Sequence, residues 1–238
     1  MAITIMTIRR NSLRVKARCL IYFMRARNED YEISLETISK ISEGTKPKLL
    51  LHACCGPCSC FPLTFLCQHF NVTIYYGNSN IYPFEEYDRR KKELEVLLQD
   101  LKKDEGLEVG LVMPPYDHEE YMKDLRPFAL QKEGRTRCFL CYRKRMEEAY
   151  DYAESHGFDY FTTVMTISRQ KSSPVLNAIG LGLEKQHKHC RYFISDFKKN
   201  GGIEKGRQIR LKYGLYNQLY CGCEYSFQAM KKRSNNSK

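Results

Sequence analysis

Seven of the eleven cysteines in this chain sit in three short motifs: Cys54-Cys55-Gly56-Pro57-Cys58, Cys138-Phe139-Leu140-Cys141 and Cys221-Gly222-Cys223. A thiolate is both a soft metal ligand and a redox nucleophile, so this clustering points to a metal centre, a redox pair or both. Cys138 and Cys141 stand three apart and share one face of a helical turn, from which both can grip one centre. Cys54 and Cys55 raise the count to four, which suits a [4Fe–4S] cluster and equally a closed structural zinc site. In Cys221-Gly222-Cys223 the sulfurs can meet only if the middle residue folds tightly, which glycine permits. A ring so small is strained, and strained disulfides tend to be labile or catalytic. The pair reads as a redox relay, with two further metal ligands as the alternative.

Compartment decides how such thiols are used. The chain has 238 residues, with no run near the ~20 apolar residues that a bilayer span needs. Arg9 and Arg10 follow a weakly apolar start without a secretory core or cleavage site, so a cytoplasmic protein with no membrane partner is expected. In a reducing compartment clustered cysteines are ligands or redox centres more often than staples. The formal net charge of +11 favours a polyanionic partner, most simply nucleic acid. A basic surface kept for solubility is the bland alternative.

The elements that must position these residues follow from apolar patterning. Leu49–Ala53 is a short apolar run that stops at the Cys/Gly/Pro loop, as a buried parallel strand would. Pro57 and Ser59 suit the first turn of a helix reaching about His69. Strands are expected at Val72–Tyr76, Leu107–Val112, Asp159–Met165 and Arg191–Ile194. Helices are expected at Phe84–Lys103, near Tyr121 with Asp117 as cap, at Cys138–Ser155 closed by Gly157, at Ser173–Lys185 and at Glu204–Tyr213. This alternation specifies an α/β fold, a parallel sheet flanked by helices, with ligands taken at the carboxyl ends of the strands. The first such turn lacks the composition of a Walker loop, which disfavours nucleotide hydrolysis. Residues 1–46 read as a basic N-terminal extension, 47–228 as the catalytic domain and 229–238 as a basic tail. Cys19, Cys60, Cys67 and Cys190 read as ordinary thiols, with Cys60 and Cys67 on one buried stripe, and His52 as a core histidine.

Beyond the cysteine motifs, several segments carry a specific resemblance: His52–Ser59, Asn78–Pro83 with Glu86, Tyr87 and Arg90, Arg137–Arg143, Thr162–Val164 and Ser168–Lys171. The series continues through Asp196–Lys199, Gly201-Gly202, Tyr213 and Gln218–Ser226. From about Lys48 to Phe227 the chain resembles the epoxyqueuosine reductases of the QueH type, which work without cobalamin. The resemblance implies a nucleotide-hydrolase-like (HUP-type) core and reduction of epoxyqueuosine to queuosine at the wobble position of tRNA. It also implies a [4Fe–4S] cluster on Cys54, Cys55, Cys138 and Cys141, with Cys221 and Cys223 as a redox-active disulfide. With four cysteines on the cluster, either Cys58 holds a second metal, iron or zinc, or one cluster ligand exchanges. Tyr82, Tyr142, Tyr220, Asp196 and Lys171 are candidates for the proton donor by motif membership. Lys171, Lys198, Lys199 and Arg207 are expected to meet the RNA, and a separate electron donor is required. Two other readings compete. A tRNA sulfur transferase would normally activate its base with ATP, and the missing phosphate loop counts against it. A zinc-stabilised RNA-binding module would do no chemistry.

Overall fold

Leu49, Leu50 and Leu51 are all fully buried, as a strand covered on both faces requires. In the computed structural model, which describes residues 29–235, they form β1 (Lys48–His52), the middle of a five-stranded sheet. β2 (Asn71–Tyr75), β3 (Gly110–Val112), β4 (Tyr160–Thr163) and β5 (Arg191–Tyr192) complete it in the order β3-β2-β1-β4-β5, every pair parallel. Successive side chains of a strand point to opposite faces. Leu49 and Leu51 accordingly join one apolar cluster with Leu63, Leu94, Leu97 and Phe193. Leu50 joins the other, with Met146, Tyr150, Phe161 and Leu176.

The helices are α1 (Glu29–Ser39), α2 (Gly56–Leu66), α3 (Phe84–Glu105), α4 (His118–Lys123), α5 (Thr136–Ser155), α6 (Ser173–Glu184), α7 (Gly202–Lys212) and α8 (Glu224–Asn235). α3 buries Tyr87, Arg90, Leu94, Leu97 and Leu101, a spacing of three and four that draws one stripe along a helix. α5 buries Met146, Ala149, Tyr150 and Ala153 in the same way. Because the strand order turns at β1, the crevice of this open sheet lies at the carboxyl ends of β1 and β4.

The expected elements are present, with edges moved for local reasons. The strand expected to run to Met165 stops at Thr163, whose hydroxyl accepts from the Met165 amide at 3.1 Å and starts a 3-10 turn over Val164–Ile167. β3 and β5 are shorter than the apolar runs that announced them. Pro62 lies inside α2, where its missing N–H gives the Cys58 carbonyl no donor one turn on. Of the N-terminal extension, α1 docks on the domain: its buried Asp30 accepts from Asn177 Nδ2 at 3.1 Å. The basic tail continues α8 as far as Asn235. Cys19 and the seven cations of residues 1–28 lie outside the described residues. Among those described, no helix is long and apolar enough to cross a membrane.

Candidate active site

β1 delivers the first motif to the sheet edge, where the Ala53 amide donates to Tyr75 O at 3.1 Å and extends the ladder by one step. The chain then turns at Gly56, which α3 approaches so closely that a Cβ there would meet Glu93 O at 2.9 Å. Cys54, Cys55 and Cys58 consequently project from one turn, their sulfurs all within 4.8 Å of one another, and can hold a metal. Metal–thiolate bonds of about 2.3 Å in a tetrahedron give sulfur–sulfur edges of about 3.8 Å. Cys54 and Cys55 stand 3.8 Å apart. Hydrogen bonding with the neighbouring Cys55 and Cys58 thiols holds Cys54 well below the usual thiol range. That sharing pushes Cys55 well up and Cys58 up to about 12. Gln218 leans over the group, Nε2 3.2 Å from Cys55 Sγ and 3.5 Å from Cys58 Sγ, while its buried Oε1 has no partner.

Cys138 lies in the first turn of α5 and Cys141 in the second, both outside the tight triad. Cys138 Sγ accepts from the Gly134 amide at 3.2 Å and Cys141 Sγ from Tyr121 OH at 3.4 Å. Burial pushes Cys141 up to about 11. On the same helical face comes Arg145, only 2% exposed. Its Nη2 donates to Asn78 Oδ1 at 2.9 Å, and Asn78 Nδ2 donates to Ala53 O at 2.7 Å, tying α5 to the first cysteine loop. Arg145 Nε has no partner, and no described carboxylate lies within ion-pair distance of the guanidinium. Burial opposes its charge, yet Cys141, Cys54 and Cys221 more than offset this and raise its pKa. An unpaired buried cation is costly, so the arrangement fits a negatively charged metal–thiolate centre.

The third motif is held from α3. Arg90 pairs with Glu86 at 2.8 Å and donates from Nη1 to Cys221 O at 3.1 Å and from Nη2 to Tyr220 O at 3.0 Å. Gly222 has φ +123°, and a Cβ there would lie 3.0 Å from Arg90 Nη1, so backbone angle and space both call for glycine. All ten described cysteines are free, so Cys221 and Cys223 stand here as a dithiol. Cys223 Sγ lies 3.5 Å from the Ser226 amide at the start of α8.

Cys54, Cys58 and Cys221 line one open cleft of ≈ 480 Å³. Its charged lining is Arg90, Arg169, Lys171, Arg207 and Arg210, with no acid. Of the cations expected to meet RNA, Lys171 and Arg207 line the cleft and Lys198 and Lys199 do not. Lys198 is engaged internally: Nζ donates to Thr166 O at 2.7 Å and to Ser173 Oγ, and lies 3.1 Å from Asp196 Oδ1. Asp196 also accepts from Ser173 at 2.9 Å, Tyr142 is buried, and Tyr220 OH donates to Tyr82 O at 2.6 Å. His52 is a core histidine: Nδ1 lies 2.9 Å from Thr163 Oγ1, and burial brings its pKa down to about 3, leaving it neutral. Cys60, Cys67 and Cys190 are buried. Sequence reasoning missed Arg145, although its place four residues beyond Cys141 puts it on the ligand face. It also gave no role to Gln218, Arg169 or Arg210.

A protein-family model described as epoxyqueuosine reductase QueH matches residues 49–229, a span that takes in all three cysteine motifs. The chain belongs to the QueH family. A QueH epoxyqueuosine reductase of Staphylococcus aureus is 37% identical over 186 residues, 77% of each chain. One of Staphylococcus epidermidis is 35% identical over 221 residues, 91% of this chain and 92% of the relative. One of Streptococcus pyogenes is 34% identical over 199 residues, 83% of this chain and 78% of its own. The QueH match begins inside β1 and ends inside α8, leaving α1 outside it.

Proposed function

We propose that this chain is an epoxyqueuosine reductase that converts epoxyqueuosine to queuosine at the wobble position of tRNA. The family match across 49–229, which contains every cysteine motif and every residue lining the cleft, carries the reading. In this reading Cys54, Cys55, Cys138 and Cys141 hold a [4Fe–4S] cluster, and Cys58 is available to a second iron or zinc ion beside Gln218. The bound cluster supplies electrons one at a time. Arg145 compensates the charge of that centre from within the protein.

Removing the epoxide oxygen takes two electrons and two protons and leaves an alkene and water. Oxidation of the Cys221–Cys223 dithiol to a disulfide releases two electrons and two protons, so the pair balances the reaction. A separate electron donor must then return the disulfide to the dithiol. Arg90 keeps Cys221 at the cleft by gripping the carbonyls before Gly222. The acid-free basic cleft suits an RNA substrate, with Lys171 and Arg207 on its lining and Lys199 outside it. Residues 47–228 form the catalytic unit of this scheme, in a cytoplasmic protein.

Anaerobically purified protein tests the reading. It should carry iron and acid-labile sulfide in cluster proportion and convert epoxyqueuosine-containing tRNA to queuosine-containing tRNA when supplied with a reductant. Colourless protein with one zinc and no conversion would instead mark an RNA-binding module, and sulfur in the product would mark a transferase.

A further inference from the structure

Three of the five cations lining the cleft have no described carboxylate within ion-pair distance. Arg90 is paired with Glu86, and Arg207 with Glu204 at 2.9 Å. The side chains of Arg169, Lys171 and Arg210 make no hydrogen bond or ion pair among the described residues, and the cleft lining contains no Asp or Glu. Lys198, outside the lining, is by contrast engaged with Thr166, Ser173 and Asp196. These three stand ready for an anion.

The fold holds them on two walls. α7 packs tightly on α2 through small residues: a Cβ at Gly202 would lie 2.0 Å from Phe197 O and 2.6 Å from Phe61 Cε1. Gly206 follows four residues on, where a Cβ would lie 3.6 Å from both Phe61 and Ile167. Ile203, Gly206, Arg207 and Arg210 recur at three and four residues, so one face of α7 forms the first wall, next to the helix that carries Cys58. The second wall is the Ser168–Lys171 turn, closed by Lys171 N to Ser168 O at 3.3 Å and braced from behind by Lys198 at Thr166 O. Lys171 lies beside Tyr142, Nζ 6.0 Å from the ring centre.

We propose that Arg169, Lys171 and Arg210 form a cradle for the phosphodiester backbone of RNA, drawing one nucleotide down between the two walls towards Cys54, Cys58 and Cys221. The proposal rests on the tRNA reading and adds which residues grip the strand. Two guanidinium forks and an ammonium match phosphate oxygens, the forks bidentately. An open mouth whose rim includes Leu219, 77% exposed, admits a strand rather than enclosing a small anion.

The experiment uses the iron-loaded full chain and an anticodon stem-loop RNA, with affinity measured by fluorescence anisotropy across a salt series. Arg169→Gln and Arg210→Gln should each weaken binding and reduce the slope of log K against log salt by roughly 0.7 to 1, at unchanged iron content. Lys205→Gln, on α7 but outside the cleft lining, is the comparison for simple loss of charge. Slopes for the two arginine variants equal to that of Lys205→Gln would overturn the cradle and leave the tRNA reading standing. Binding of NADPH that the same two substitutions abolish, with stem-loop affinity unmoved, would assign these cations to a soluble dinucleotide and overturn the RNA proposal. Iron-loaded wild-type protein that binds no stem-loop would overturn the tRNA reading itself.

Discussion

Arg145 concentrates the electrostatics of the site in one residue: a buried guanidinium facing thiols from all three motifs, with the Asn78 amide as its one hydrogen-bond partner among the described residues. Its worth depends on what occupies the centre. Arg145→Leu removes a buried charge, so the metal-free protein should change by only about 1 kcal/mol, because the relief of desolvation offsets the bond lost at Asn78. The loaded protein should lose metal affinity by roughly 10- to 100-fold, as substitution of outer partners of a metal site does. Iron content and melting of both forms, measured side by side, check this; equal effects on the two would place Arg145 in ordinary packing. The cysteines separate in a similar experiment. Cys138→Ser should lose iron and lower the melting temperature if, in the proposed ligand set, its thiolate ties a helix start to the centre. Cys221→Ser should keep iron and stop steady-state turnover, because a lone sulfur cannot carry two electrons. Intact iron with normal turnover in Cys221→Ser would reduce the Cys-Gly-Cys to a structural turn.

The elements show why some of this was legible in the sequence. β1 and its loop announce themselves by apolar run, Gly and Pro within ten residues, and Cys138 and Cys141 by their helical spacing. The roles of Arg145, Arg169 and Arg210 depend on which side chains fail to find a partner, a property of the packed molecule that charge counting cannot supply. Lys198 shows the converse: its charge is visible in the sequence, but its engagement with Asp196, Thr166 and Ser173 is not. At this scale Gly202 sets the α2–α7 distance. Gly202→Ala should push the helices apart, costing about 1–3 kcal/mol in denaturant unfolding and weakening RNA binding with it. A second element depends on acid. Glu154 accepts from the amides of Cys190, Lys188 and His189, and these bonds draw its carboxyl from 4.5 to about 2, anchoring the chain that enters β5. A depressed folded pKa means stability that is present above the ordinary carboxylate range and lost as pH falls towards about 2. Glu154→Gln should therefore flatten the pH dependence of the melting temperature in that acid window, with little change in slope near neutrality.

Across the whole molecule, each thiol motif lies at the start of a different helix, α2, α5 and α8, where amide dipoles favour negative charge. The helices come from well-separated parts of the chain and are tied together by the sheet and connecting side chains. The longest of these links is Gln218, whose partner Cys55 is 163 positions away. That separation has a consequence for the order of events during synthesis. The sheet and the first two motifs can be in place while the last segment is still on the ribosome, but the cleft is complete only after Cys221 has emerged. Until then the stretch carrying Cys54 and Cys58 has no cover from Gln218 or Cys221, and a newly made chain passes through an interval in which the low-pKa Cys54 sulfur faces oxygen and stray metal ions unshielded.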